Sequence, residues 1–195
     1  MNRALIGLGA GLAVLVGVWA ASGAERPRAP SRQQHRLEGS ERPSWSPDGT
    51  QTAFLVRDRD RRVRLFVADA REAETLQAVS AETGRDRDVL HFAWAPDGSR
   101  LAYTADEDLE GVYELYTVRP DGQERRKVSP PLAERRSVVW FSWSPDGSTL
   151  MYVADQDVDD RFDLYSLPAA GGDPARLSGT MPAESDVLTT SPALP

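Results

Sequence analysis

Cysteine is missing from all 195 residues, so the chain has no disulfide and offers no thiol to which a lipoprotein's lipid could be attached. Histidine is nearly missing as well. His35 and His91 stand far apart, no H-x-x-x-H spacing occurs, and without cysteine a zinc ion has no ligand set. No G-x-S-x-G nucleophile elbow is present either. The chain is therefore expected not to be an enzyme. Lysine is reduced to Lys127, and every other basic side chain is arginine, a bias that reflects coding rather than chemistry. Basic residues are also outnumbered, 23 against 30, giving a formal charge of −7. Removal of residues 1–24, whose one charged side chain is Arg3, would make it −8. That acidity excludes nucleic acid as a general partner.

What the chain does have is repetition. Trp45-Ser46-Pro47-Asp48-Gly49 returns as Trp94-Ala95-Pro96-Asp97-Gly98 and as Trp143-Ser144-Pro145-Asp146-Gly147, with 94 − 45 = 49 and 143 − 94 = 49. A fixed period of this size marks solenoids, propellers and arrays. Proline presets φ for the first corner of a type I turn, Asp suits the second, and Gly takes the positive φ from which a strand restarts. β-rich stretches flank each turn, Val138 to Trp143 before the third and Leu150 to Val153 after it. A third strand follows in each copy, at Leu65 to Ala68, Glu114 to Val118 and Asp163 to Leu167. A short fourth follows at Arg125 to Ser129 and at Ala175 to Ser178. Four antiparallel strands per repeat make a propeller blade.

This pattern of W-S-P-D-G, short strand, acidic loop, L-Y strand, turn and R-x-L/V-S resembles the PD40, or WD40-like, β-propeller repeat of TolB-type periplasmic proteins and of prolyl-oligopeptidase-like propeller domains. It runs from about Pro43 to Ser178. The expected fold class is all-β, with three four-stranded antiparallel blades (about 43–82, 89–130 and 138–178) plus a partial fourth, an incomplete or open propeller. The resemblance implies an exported, non-catalytic scaffold that binds protein partners or its own copies. The alternative it implies is the propeller remnant or accessory domain of a prolyl-oligopeptidase-like hydrolase whose catalytic domain lies elsewhere.

The ends read differently. Residues 1–24 combine Arg3, an uncharged apolar run from Ala4 to Ala21, and Ser22-Gly23-Ala24 at a cleavage site, as a secretory signal peptide does. The alternative is an uncleaved anchor over residues 4–21, which would be the chain's sole link to a membrane. The expected location is periplasmic or secreted in a bacterium, or the inner membrane if that anchor persists. Residues 25–42 form a flexible linker too polar to fold alone. Its Arg26, Arg28, Arg32 and Arg36 lack the interleaved aromatics of a phosphate-binding patch. Residues 179–195 are read as a partial fourth blade or a disordered tail, since Pro145 + 47 = 192 places Ser191-Pro192 almost where a fourth turn would stand. Either the reading frame is truncated or an open arc is completed by another copy.

The most chemical stretch is the loop between the second and third strands. Asp106, Asp108 and Glu110 precede Gly111 in one copy, and Asp155, Asp157 and Asp159 precede Asp160 in the next. Alternating carboxylates resemble the opening of a D-x-D-x-D-G loop and make these six residues candidate Ca²⁺ ligands. The twelfth position is Thr117 or Ser166 instead of Glu, and the first repeat has Arg57 to Arg62, so a solvated acidic hairpin tip is the competing reading. Trp45, Trp94, Trp140 and Trp143 are expected in the core or between blades, and His91 on an inner strand near the propeller axis.

Overall fold

A computed structural model describes residues 42–72, 75–82, 87–180, 182, 185–187 and 189. The expected signal or anchor (1–24), the linker apart from Arg42, and the last five residues lie outside these. Twelve strands form three four-stranded antiparallel sheets, and among the described residues there is no helix. The first sheet contains β1 (Ser44–Trp45), β2 (Gln51–Arg57), β3 (Val63–Asp69) and β4 (Leu76–Ala78). The second contains β5 (Val89–Trp94), β6 (Leu101–Ala105), β7 (Glu114–Val118) and β8 (Arg126–Lys127). The third contains β9 (Val138–Trp143), β10 (Thr149–Val158), β11 (Arg161–Pro168) and β12 (Ala175–Arg176). In each, strands pair in chain order, the plan of a blade.

The repeated phrase makes the turn expected of it. The N–H of Gly49, Gly98 and Gly147 donates to the carbonyl of Ser46, Ala95 and Ser144, each at 2.9 Å. The three glycines hold φ of 71°, 71° and 70°. The Asp carboxylate then accepts the N–H two residues on, from Thr50, Ser99 or Ser148 at 3.0–3.1 Å. Successive turns also stack. A side chain at Gly98 would meet Pro47 at 3.4 Å, and one at Gly147 would meet Pro96 at 3.5 Å.

Because side chains alternate across a strand, each blade has two apolar faces, and at the two joints the facing sides of successive blades cover one another. The core between the first two sheets joins Ala53, Leu65 and Val67 to Leu101, Tyr103, Tyr116 and Val118. The core between the second and third joins Ala102 and Leu115 to Leu150, Tyr152, Tyr165 and Leu167. In both, a stacked tyrosine pair faces the preceding blade, Tyr103–Tyr116 at 5.4 Å and Tyr152–Tyr165 at 5.3 Å between centroids. Tryptophan ties the same joints at one edge. Trp94 Nε1 donates to the Ser44 carbonyl and Trp143 Nε1 to the Ala93 carbonyl, both at 3.2 Å.

The placement of the four tryptophans in core or joint needs correction at the first. Trp94 is buried and Trp140 and Trp143 are half-buried, but Trp45 is 62% exposed. The phrase is the same; what differs is that no described blade precedes Trp45. Leu115 is fully buried between blades, whereas Leu177 is 51% exposed at an outer edge. Leu115→Ala should cost about 2–5 kcal/mol in urea unfolding, and Leu177→Ala no more than about 0.5 kcal/mol.

Candidate interaction surface

One end of the blades carries the phrase turns, the other the acidic loops. The carboxylates singled out as calcium ligands lie at the loop end, but most are engaged otherwise. Asp106, almost fully buried, accepts the N–H of Asp88 at 2.6 Å with one oxygen and that of Gly111 at 2.9 Å with the other. Asp155 repeats the device on Ser137 (2.7 Å) and Asp160 (3.2 Å). Gly111 and Asp160 both stand at positive φ, 73° and 59°. These two aspartates thus close their own loops and fix where the blade's first strand begins. In the first blade Asp58 closes the shorter loop by accepting the Arg62 N–H at 3.0 Å.

The remaining four candidates face outward. Asp108 pairs with Lys127 at 2.7 Å, Asp157 accepts the Tyr165 hydroxyl at 3.0 Å, Asp159 pairs with Arg135 at 3.3 Å, and Glu110 is exposed. A trio does converge in the third blade, with ligand atoms of Asp155, Asp159 and Asp160 all within 4.8 Å of one another. It differs from the expected set because β10 runs on to Val158 and turns through Asp159-Asp160, which sends Asp157 towards Tyr165. His91 is half-buried on β5, opposite Thr104.

Other charged groups, unremarked in the sequence, hold the blades together. Buried Glu114 takes Lys127 at 3.0 Å, and buried Asp163 takes Arg176 at 2.7 Å, the same third-to-fourth-strand pair one period apart. Glu107 accepts the Tyr103 hydroxyl at 2.8 Å and, across the joint, the Ala81 N–H at 2.9 Å. The joints begin at Asp88, Ser137 and Asp186, spaced 137 − 88 = 49 and 186 − 137 = 49. Their side chains accept the N–H of Val63, Tyr113 and Phe162 on the preceding blade, at 3.0–3.2 Å. Val187 then donates to Phe162 at 2.9 Å, as Val138 donates to Tyr113 at 2.7 Å. Asp186 and Val187 thus dock on the third blade as Ser137 and Val138 dock on the second, one period of 49 further on, while Ser191-Pro192 lies outside the described residues. The same subtraction applied to the residues around Asp88 would have found all three joints.

The exposed apolar side chains of the loop end also recur. Leu109 (41% exposed) and Val158 (45%) occupy equivalent tips, flanked by Asp108 and Glu110 and by Asp157 and Asp159. At the turn end an open groove of about 530 Å³ is lined by Gln51, Ser99, Arg100, Arg119 and Glu124. Its charges are matched internally, Glu124 pairing with both Arg100 and Arg119.

Stacked four-stranded blades with these joints define a β-propeller repeat protein. More particularly, the chain belongs to the family of the LpqB lipoprotein β-propeller domain, whose model matches residues 17–193. No curated protein matches it. The fold is shared with several solved structures at low identity. A TolB-assigned structure from Agrobacterium tumefaciens is 21% identical with a TM-score of 0.52, over 68% of this chain and 47% of that one. Oligogalacturonate lyase from Vibrio parahaemolyticus is 20% identical with a TM-score of 0.51, over 70% and 36%. The AtxE2 isopeptidase is 15% identical with a TM-score of 0.52, over 70% and 28%. The chain therefore spans less than half the length of each.

Two pH and metal responses follow from the carboxylates. Asp146 is held down to about 2 by the Ser144 hydroxyl and by the N–H and hydroxyl of Ser148. Asp48 is lowered by Ser46 and Thr50, and Asp97 by the Ser99 N–H and hydroxyl. A lowered carboxyl stabilises the fold above its ordinary value of 3.8, and that contribution is lost as pH falls through the lowered one. Burial pushes Asp106 and Asp155 up, which has the opposite sign and favours the fold on acidification. Asp146→Asn should therefore make the fall in melting temperature between pH 4 and pH 2 shallower than in the parent. As for calcium, Asp155 already accepts two N–H groups and Asp159 is paired with Arg135. Melting in millimolar Ca²⁺ and in EDTA should agree within about 1 °C. A rise that Asp160→Asn abolishes would place a cation on the trio.

Proposed function

We propose that the chain is an exported, non-catalytic β-propeller protein that serves as a binding platform for other proteins, as TolB-type propellers are taken to do. The observation that carries this reading is the repeated tip, an exposed Leu109 or Val158 set between carboxylates at the same place in adjacent blades. Such a tip offers an apolar anchor within an acidic rim, suited to a partner segment that alternates basic and apolar side chains. The joints beneath hold the tips on rigid strands, and preorganisation lowers the ordering cost of binding. Membership of a family described by a lipoprotein, together with the Arg3-led apolar run, supports a place in the cell envelope. These 195 residues hold no cysteine for lipid, so the reading is a periplasmic or secreted protein, with anchoring through residues 4–21 as the alternative.

A second reading follows the resemblance of the repeat to prolyl-oligopeptidase-like propellers, an accessory propeller that governs access to a hydrolase domain lying elsewhere; the AtxE2 isopeptidase shares the fold. The two readings part on what touches the tips. A photoactivatable side chain placed at Leu109 or Val158 in cells should form adducts with one distinct protein from both positions, and none from the edge residue Leu76. Adducts with a hydrolase domain would favour the second reading, and none at either tip would end the platform reading.

A further inference from the structure

We propose that the groove at the turn end of the second blade binds a carboxylate-bearing ligand, held by the guanidinium of Arg100 in exchange for the side chain of Glu124. The first reason is that this groove breaks the repeat. Arg100 and Arg119 are replaced by Thr149 and Pro168 one period later, and by Gln51 and Ala70 one period earlier. The neighbouring blades therefore form the same four strands with neither guanidinium. What folding needs recurs in every copy, as the Pro-Asp-Gly turns do, whereas side chains that one copy alone places on loops above a rigid scaffold are where binding residues concentrate.

The second reason is a surplus of donors. Arg100, Arg119 and Arg126 all close on the Glu124 carboxylate, Arg119 at 3.6 Å and Arg126 at 3.9 Å, and Asp121 takes Arg119 from another side at 3.1 Å. Among the described residues, three cations here face two carboxylates, Asp121 and Glu124. The charges nearly balance, but the hydrogen bonds do not. Glu124 engages Arg100 through Nη2 alone, while Nη1 is buried without a hydrogen-bond partner among the described residues. A guanidinium binds a carboxylate best through two parallel N–H bonds, and a buried donor left unmade is costly. A carboxylate lying in the plane of the Arg100 fork would use both nitrogens at once.

Glu124 is placed to give way. Its side chain is 44% exposed, and it holds a φ of 49°, a left-handed backbone that a residue other than glycine adopts at a cost. Backbone of this kind gathers at ligand clamps and switches. Arg100 lowers the Glu124 carboxyl from its ordinary range, so the position already favours a charged carboxylate. A surplus of one positive charge suits a monocarboxylate better than a doubly charged phosphate. The groove, about 530 Å³ and bounded across the blade joint by Gln51, leaves room for the body of such a ligand. It lies at the opposite end of the blades from Leu109 and Val158, so the inference does not rest on the platform reading.

Amide ¹H–¹⁵N spectra of the full chain in detergent provide the test, titrated with N-acetylglycine as the carboxyl end of a peptide and with glucuronate as a sugar acid. Saturable shifts with at least one of the two are expected at residues 98–100 and 119–124, and none at Leu109 or Val158. The tighter probe identifies the source of the carboxylate. Glu124→Gln removes the competing charge and should tighten binding about fivefold or more. Arg100→Lys keeps the charge but loses the fork, and it should weaken binding about tenfold or more. Both variants should melt within about 3 °C of the parent, which separates loss of binding from loss of fold. N-acetylglycinamide, lacking the charge, should not bind, and inorganic phosphate should bind more weakly than the better carboxylate. The proposal is overturned by the absence of saturable shifts with both probes in the parent and in Glu124→Gln, or by shifts centred outside the groove. Weaker binding by Glu124→Gln, parent-like binding by Arg100→Lys, or phosphate and the amide matching the carboxylates would overturn it equally, and the platform reading would be untouched by any of these.

Discussion

A sheet buried on both faces cannot be stable alone, and that constraint governs the molecule. Every residue of β6 and β7 is buried, because one side of the pair supplies Leu101, Tyr103 and Tyr116 to the first blade and the other supplies Ala102 and Leu115 to the third. Burial of this kind contributes about 25 cal/mol for each Å² of apolar surface, but only once a neighbour is present. The unit of stability is therefore the joint, as in other repeat proteins where nearest-neighbour terms dominate.

The charged residues serve the same end. Asp106 and Asp155 look like ligands on paper, yet each uses both oxygens to position backbone N–H groups. Glu114 lies under its strand paired with Lys127, and Asp163 under its strand paired with Arg176 and Arg161. A buried carboxylate left without such partners would carry a desolvation cost of several kcal/mol, so these residues bind strand order to charge pairing. Arg64 stands in the corresponding place of the first blade, where it lies 5.2 Å over the Phe66 ring.

Much of the fold was legible in the sequence because turn chemistry is local. Pro, Asp and Gly at fixed offsets dictate a hairpin whatever surrounds it, so three turns and most strand positions could be read directly, the short edge strands of the first blade excepted. The fate of Trp45 could not, since its phrase matches those of Trp94 and Trp143 and only the neighbouring blade separates a half-buried indole from an exposed one. The hydrogen-bond partners of the acidic loops could not be read either, for a related reason. Spacing shows which carboxylates lie close, whereas their partners depend on where the backbone turns, and the positive φ of Gly111 and Asp160 points an N–H at the first aspartate of each loop.

The sharing of the middle blade between two cores also orders events during synthesis. The first core draws on residues from Ala53 to Val118, and the second on residues from Ala102 to Leu167. Among the described residues, the first sheet of a nascent chain therefore has no complete partner surface until Val118 is out. The third blade then adds to a surface already formed. Vectorial folding here is a matter of two steps in sequence, and the interval before Val118 emerges is when the apolar faces stand open to chaperones or to neighbouring chains.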